Sequence, residues 1–231
     1  MLTIVIPVHN QKNQMIRIVN KLSKLLNNKK IKYEIIIAED GSTDGSYEIA
    51  KKLAKRKNIK LSHKKEKCGK GAAIKRGAQL ASYTKLLFLD ADTYNHLEEL
   101  KYFIDLLKDY DIVIGSRYLK ESKVKRSLIR KIPSHIYNLL VRVMFHTGIK
   151  DHQCGFKAFS RKGIELIKTV RSDGFFFDTE LLVMAKNKNY KIKEIPIHWS
   201  EKKSSQVNIL KDSFKMILDI LKLKIRLMLD I

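Results

Sequence analysis

Two aspartates, Asp90 and Asp92, stand one residue apart at the end of an apolar run, Leu86-Leu87-Phe88-Leu89. Carboxylates so placed offer hard oxygen ligands to Mg²⁺ or Mn²⁺, and such a cation bridges phosphate oxygens and offsets charge on a departing diphosphate. The run reads as a buried parallel strand, which would carry both carboxylates to the carboxyl edge of a sheet, where open α/β folds take their ligands. The same triplet can also do no more than end a strand. Glu39-Asp40-Gly41-Ser42-Thr43-Asp44 forms a second acidic cluster, equally compatible with plain turn chemistry. Gly69-Lys70-Gly71 opens a small-residue helix, but it has neither Walker spacing nor G-x-G-x-x-G, and a helix cap with solvated lysines explains it as well.

Alternating elements must position these groups. Leu2 to Val8 reads as the first buried strand, followed by a helix with Ile16, Val19, Leu22, Leu25 and Leu26 at helical spacing. Lys32 to Ala38 is a second strand, Ser46 to Lys57 a helix and Asn58 to Ser62 a short strand. Asn95 and Glu98 suggest a capping box for a helix to about Lys108, and Asp111 to Gly115 reads as a fifth strand ending at Ser116 and Arg117. In a parallel sheet four polar strand ends, Pro7 to Asn10, Glu39 to Asp44, Asp90 to Asp92 and Gly115 to Arg117, share one edge.

The second half is less regular. Tyr118 to Lys131 is basic without apolar periodicity and reads as a mobile loop, whereas Ile136 to Phe145 is helical and apolar. Asp151 to Ser160 reads as a loop entering a strand, Gly174 to Glu180 as a loop entering a helix, and Lys191 to Trp199 as a further strand. In the tail from Val207 to Ile231, Leu210, Phe214, Ile217, Leu218, Leu221, Ile225 and Met228 fall on or near one face, interrupted by lysines and Arg226. That pattern suits core packing or a helix lying in a membrane interface, with the lysines and Arg226 reaching anionic headgroups.

The 231 residues suit one large domain over 1–200 with an amphipathic tail over 201–231. Forty-seven Lys and Arg against 24 Asp and Glu give a formal charge of +23, which favours polyanions: nucleic acid, an anionic membrane or phosphorylated substrates. Few aromatics are interleaved with the basic loop, so no nucleic-acid partner is expected, while phosphate contact by Arg117, Arg126 or Arg130 is reasonable. Cys68 and Cys154 lack metal-ligand spacing and fit a reducing, cytosolic setting. The seven histidines show no paired spacing, no signal peptide is evident, and no run reaches the length of a membrane span, so a soluble or peripheral protein is expected.

Taken together, Ile4-Val5-Ile6-Pro7-Val8-His9-Asn10, the Glu39 to Asp44 run, Gly69-Lys70-Gly71-Ala72-Ala73, Asp90-Ala91-Asp92 and Gly115-Ser116-Arg117 resemble, in order and spacing, the family-two glycosyltransferases of GT-A fold. Asp151 to Lys157, Phe177-Asp178-Thr179-Glu180-Leu181-Leu182 and Ile225-Arg226-Leu227 look like the dolichyl-phosphate β-glucosyltransferase branch, beside the related dolichyl-phosphate mannose synthases. The resemblance implies an α/β fold with a mostly parallel, Rossmann-like central sheet flanked by helices, and C-terminal amphipathic helices. It also implies inverting, metal-dependent transfer of a hexose, glucose favoured, from UDP-glucose or GDP-mannose to a polyprenyl phosphate at the cytoplasmic face of a membrane.

Carried over by position, Pro7 and His9 would line the nucleotide pocket, Asp40 would bond the base, and Lys70 would lie near the phosphates. Asp90, with Ala91 beside it, would contact the ribose or the metal shell, and Asp92 would be the principal ligand of Mg²⁺ or Mn²⁺. Arg117 and Arg130, with Ser134, would hold the acceptor phosphate, and Asp151 and Asp178 would stand near the sugar. Two departures are Gln11, where the family has Glu, and Tyr94, where the mannose synthases place a metal-binding glutamine. Three rivals remain at this stage: a phosphate-receiver domain, ill matched to the length and the basic second half; a basic binding module on a degenerate scaffold; and a transferase with a sugar or protein acceptor. The last would need a base, sought at Asp151 or Asp178.

Overall fold

The computed structural model describes residues 1–91, 97, 99–200 and 209–229, with backbone alone over 209–214. The chain runs β1 (Leu2–Val8), α1 (Lys12–Asn28), β2 (Tyr33–Asp40), α2 (Ser46–Leu53), β3 (Ile59–Lys64), α3 (Lys70–Gln79), β4 (Leu86–Leu89), α4 (Leu100–Leu106) and β5 (Ile112–Ser116). It continues β6 (Lys123–Lys125), α5 (Leu128–Phe145), β7 (Phe156–Phe159), α6 (Arg161–Thr169), α7 (Phe177–Asn187), β8 (Ile192–Pro196), β9 (His198–Ser200) and α8 (Ile209–Met228).

Seven strands form one sheet in the order β3-β2-β1-β4-β7-β5-β8, all parallel except β7. Both faces are covered, and the two-residue period of a strand divides its side chains between them. Ile4 and Ile6 of β1, Ile35 and Ile37 of β2 and Leu87 and Leu89 of β4 pack with α1, α2 and α4. Val5, Ile36 and Phe88 point the other way, to α3, α6 and α7. Near-continuous apolar runs are what a doubly covered parallel sheet requires, and each fully buried side chain contributes about 1.5–3 kcal/mol.

This topology creates the site. Strand order reverses between β1 and β4, and ligands of open α/β sheets bind in the crevice at that switch point. Strand β7 runs antiparallel between β4 and β5, so its leading residues arrive at the edge where the parallel strands end. Gly155 consequently lies against Asp90, whose N–H donates to the Gly155 carbonyl at 2.9 Å. A Cβ at Gly155 would stand 1.9 Å from an Asp90 carboxylate oxygen, so the close approach requires glycine.

Two expectations are corrected here, and one further helix is added. The basic stretch from Tyr118 to Lys131 is no simple loop: Lys123–Lys125 is β6, paired parallel with β9, and Leu128 already opens α5. Leu128, Ile129 and Ile132 are exposed, so they form no core-facing pattern that periodicity would detect. The stretch from Lys191 to Trp199 is two strands, β8 in the main sheet and β9 in the small ribbon, divided after Pro196. Helix α6 was not anticipated; Ser160 caps it by accepting a hydrogen bond from the Gly163 N–H at 3.4 Å. The expected Asn95–Glu98 capping box lies outside the described residues.

Helix α8 packs against α5 and α7 through Ile220 and Leu223, which join Tyr137, Val141, Phe145, Phe176 and Val183 in a third apolar cluster. No helix among the described residues is long and apolar enough to cross a membrane.

Candidate active site

The carboxyl ends of β1, β2 and β4 open into a cavity of about 840 Å³. On one side stand Pro7, His9, Asn10 and Asp40 with Cys68 and Gly69; Lys70 and Asp90 form the middle. The 172–176 loop, whose Asp173 carbonyl accepts from the Ala72 N–H at 3.1 Å, and Lys215, Met216 and Asp219 of α8 complete the lining.

On the first side, the Asp40 carboxylate is a bracket for the chain itself. Its Oδ2 accepts from the N–H groups of Cys68 at 3.0 Å and Gly69 at 2.7 Å, and its Oδ1 pairs with Arg76 at 3.0 Å. Asp40 thus fixes the turn that opens α3, besides lining the cavity. The His9 Nδ1–H donates to the Asp40 carbonyl at 2.8 Å, and Asn10 Oδ1 accepts from the Thr43 N–H at 2.7 Å, so the two acidic-edge loops are tied together.

The middle is an alternating row of charge. The Lys70 ammonium lies 2.9 Å from Asp90 Oδ1 and 3.1 Å from Asp178 Oδ2, while Asp178 Oδ1 pairs with Lys157 at 2.5 Å. Lys157 is fully buried and also donates to the Cys154 carbonyl at 2.6 Å. Burial alone would lower the Lys70 ammonium, but Asp178 and Asp90 outweigh it and hold Lys70 above its ordinary value. Burial alone would raise the Asp178 carboxyl, but Lys157 and Lys70 outweigh it and hold Asp178 below the usual carboxylate range.

A second pair stands at the end of β5. Arg117 grips Asp151 with Nε to Oδ2 at 2.7 Å and Nη2 to Oδ1 at 2.8 Å, and its backbone N–H donates to Oδ2 at 2.9 Å. Burial would raise Asp151, yet the guanidinium keeps it below the carboxylate range. The fork expected to hold an acceptor phosphate is therefore engaged by Asp151 in this structure. Around it, the Tyr118 hydroxyl donates to Ser134 Oγ at 2.6 Å, and the Arg117 and Arg126 guanidinium carbons lie 5.6 and 5.8 Å from the Trp199 ring centroid. Arg130 and Ser134 sit one helical turn apart on α5, hence on one face.

Pro7, His9, Asp40, Lys70 and Asp90 thus share one cavity, and Lys70 links it to Asp178. Ala91 is buried in the core beside Leu89. Asp92, the expected principal metal ligand, lies outside the described residues, as does Tyr94. Among the described residues no group of three or more His, Cys, Asp or Glu gathers at metal-binding distance. Asp90, its side chain a third exposed (34%), is a hard oxygen donor that fits a divalent cation there.

Sequence reasoning gave no separate role to Lys157 or Glu180, and it turned Arg226 toward anionic headgroups, whereas the structure pairs Arg226 with the buried Glu180 carboxylate. A lysine inside Phe156-Lys157-Ala158-Phe159, an apolar strand, was a usable signal, because a buried ammonium demands a carboxylate partner. His152 is structural: fully buried, it donates from Nδ1 to Asn138 Oδ1 at 2.9 Å and accepts from the Thr147 hydroxyl at 2.9 Å. Burial pushes its pKa down to about 3.

The family model described as Glycosyl transferase family 2 matches residues 3–167. The chain is 34% identical over 188 residues to the glycosyltransferase AglD of Haloferax volcanii, covering 80% of this chain but only 30% of AglD. It is 32% identical over 248 residues to the dolichyl-phosphate β-glucosyltransferase of Dictyostelium discoideum, covering all of this chain and 76% of that protein. The Saccharomyces cerevisiae enzyme of the same description is 30% identical over 254 residues, again covering all of this chain and 76% of the relative. Among solved structures, glucosyl-3-phosphoglycerate synthase from Mycobacterium tuberculosis in complex with UDP has a TM-score of 0.73 at 16% identity, over 97% of this chain and 80% of that one. The same synthase with Mn²⁺, UDP and glucosyl-3-phosphoglycerate also has a TM-score of 0.73, at 15% identity over 97% of this chain and 79% of that one. These structures share the fold, including the mostly parallel sheet flanked by helices.

Two stability measurements follow from the buried charges. Lys157→Met should destabilise the protein by about 3–5 kcal/mol in denaturant unfolding, because Asp178 loses one of its two cations. The double variant with Asp178→Asn should recover part of that loss; a fully stable single variant would show the pair to be dispensable. His152 is neutral when folded, whereas an unfolded histidine protonates near pH 6.5. The unfolded state then binds the extra proton, so stability should fall by up to about 1.4 kcal/mol per pH unit as pH drops from about 6.5 toward 3. Asp151 and Asp178 act in a lower window: their contribution is present above about pH 4 and lost as pH falls through their depressed folded values. Unfolding at pH 7, 6, 5 and 4 should show the upper slope in the wild type and a shallower one in His152→Gln, where only the smaller contribution of His135, also held below its ordinary value by burial, is left.

Proposed function

Because the chain belongs to glycosyl transferase family 2, we propose that it transfers glucose from a nucleotide diphosphate sugar, UDP-glucose foremost, to a polyprenyl phosphate of the dolichyl type. The observation that carries this reading is the state of the two carboxylates expected near the sugar. Asp178 has one oxygen on Lys157 and the other on Lys70, and Asp151 has both on Arg117. Both are held below the usual carboxylate range, which suits neither to take a proton at neutral pH. An acceptor hydroxyl would need such a base. A phosphate acceptor is already anionic near neutral pH and needs only placement.

In this reading the acceptor phosphate oxygen attacks the anomeric carbon in line. The bond from that carbon to the diphosphate breaks on the opposite side, and the configuration inverts. The nucleoside lies along Pro7, His9, Asn10 and Asp40, and Lys70 faces the diphosphate. Asp90 and Asp92 would hold Mg²⁺ or Mn²⁺, which when bound supplies positive charge against the departing diphosphate. Since Arg117 is engaged by Asp151, direct contact with the acceptor phosphate falls to Arg130 and the Ser134 end of α5.

A polyprenyl phosphate sits in a membrane, and α5 and α8 carry a matching surface. Ile129, Ile132, Ile136, Leu139 and Val143 follow one face of α5, and Ile217, Leu218, Leu221, Ile225 and Met228 one side of α8, all exposed. Lysines and arginines flank both rows, as in helices that lie in an anionic interface. We place this face against the cytoplasmic leaflet.

Incubation with labelled UDP-glucose or GDP-mannose and dolichyl phosphate, with and without Mn²⁺, should give lipid-extractable label from UDP-glucose with the metal. Label from GDP-mannose instead would reassign the sugar, and label from neither would overturn the reading. Vesicles containing anionic lipid should sediment the protein, and Ile132→Glu with Ile136→Glu should release it; equal sedimentation of the variant would remove the docking face.

A further inference from the structure

The family match ends at residue 167, yet one wall of the cavity is built from residues after it. Met216 of α8 accepts from Gln153 Nε2 at 3.2 Å, in the turn that leads into β7, so Met216 and Asp219 line the end past Asp90, away from β1 and β2. The loop before α7 reaches back to α3, where the Ala72 N–H donates to the Asp173 carbonyl at 3.1 Å. With the nucleoside along Pro7, His9 and Asp40 and the diphosphate at Lys70 and Asp90, as proposed above, the space left for the sugar is at the Met216 and Asp219 end.

One buried carboxylate joins the two pieces of the wall. Glu180, 1% exposed, accepts from the N–H groups of Arg171 at 3.2 Å and Ser172 at 2.9 Å and from the Ser172 hydroxyl, and it pairs with Arg226. The loop entering 172–176 and helix α8 are therefore fastened to the same side chain of α7. Arg226 lies seven residues after Asp219, two helical turns along one face, so the clamp at Arg226 keeps Asp219 turned inward. The other side of α8 is the exposed apolar row. Among the described residues Asp219 forms no hydrogen bond or ion pair, which leaves its oxygens for a ligand. A carboxylate accepts strongly from sugar hydroxyls.

We propose that this end of the cavity is the hexose subsite, that Asp219 reads the sugar's hydroxyls there, and that the Glu180–Arg226 pair is the positioning element for it. The proposal rests on the nucleotide-sugar reading above, and its test separates the two.

Calorimetric titrations with Mn²⁺ would compare UDP with UDP-glucose, and GDP with GDP-mannose, on the full chain. Asp219→Asn should leave the nucleotide diphosphate within about two-fold of wild type and weaken the nucleotide sugar about ten-fold or more, as expected for a lost hydrogen bond to a charged group. Arg226→Met should show the same selective loss although Asp219 is retained, and Arg226→Lys should restore part of it. Equal weakening of diphosphate and sugar nucleotide, or no change in either, would overturn the subsite while leaving the donor reading intact. Failure of the wild-type protein to bind any of the four compounds would overturn the donor reading and the subsite with it.

Discussion

The site depends on the row Asp90–Lys70–Asp178–Lys157, in which two carboxylates and two ammoniums alternate from the cavity into the core. Buried charge is costly unless each ion is paired and hydrogen-bonded, and here every inner member has two partners. The row ties four elements together: the end of β4, the start of α3, the start of α7 and strand β7. Removing Lys70 or Asp178 leaves a neighbouring charge without its partner, and removing Lys157 leaves Asp178 with Lys70 alone. The outer end, Asp90 with Lys70, is the part that meets solvent, and it offers a ligand one acceptor and one donor of full charge.

The antiparallel strand β7 makes that row geometrically feasible. A parallel strand in its place would begin at the far edge of the sheet and carry Lys157 and Gly155 away from Asp90. Running backward, β7 brings the Asp151-to-Gly155 turn to the functional edge, where Asp151 meets Arg117 and Gly155 admits Asp90. The tight contact, the buried arginine fork and the lysine row are three results of one strand's direction.

The first five strands and the meeting of four of their ends on one edge were legible because a sheet covered on both faces needs apolar runs, and those runs end at polar residues. The carboxylate and glycine segments were legible for the same reason: they punctuate the runs. What stayed hidden depended on pairing between distant residues. Nothing local to Arg117 announces that Asp151 will occupy it, and nothing local to Asp40 that Cys68, Gly69 and Arg76 will. The start of α5 was hidden for a different reason. Its first turns expose Leu128, Ile129 and Ile132 amid basic residues, so the periodicity that marks a core-facing helix is absent.

The cavity is lined by two separate regions of the chain. One part of its lining comes from residues 7–90 and the rest from residues 172–219, where the 172–176 loop and α8 are both fastened to Glu180. Changes confined to α8 leave the turn that Asp40 holds and the lysine row in place, whereas changes over 172–178 reach both, through Asp173 against Gly69 and Asp178 between Lys70 and Lys157. Drift or recombination confined to the stretch that encodes α8 can therefore reshape one end of the cavity and leave the charged row as it is.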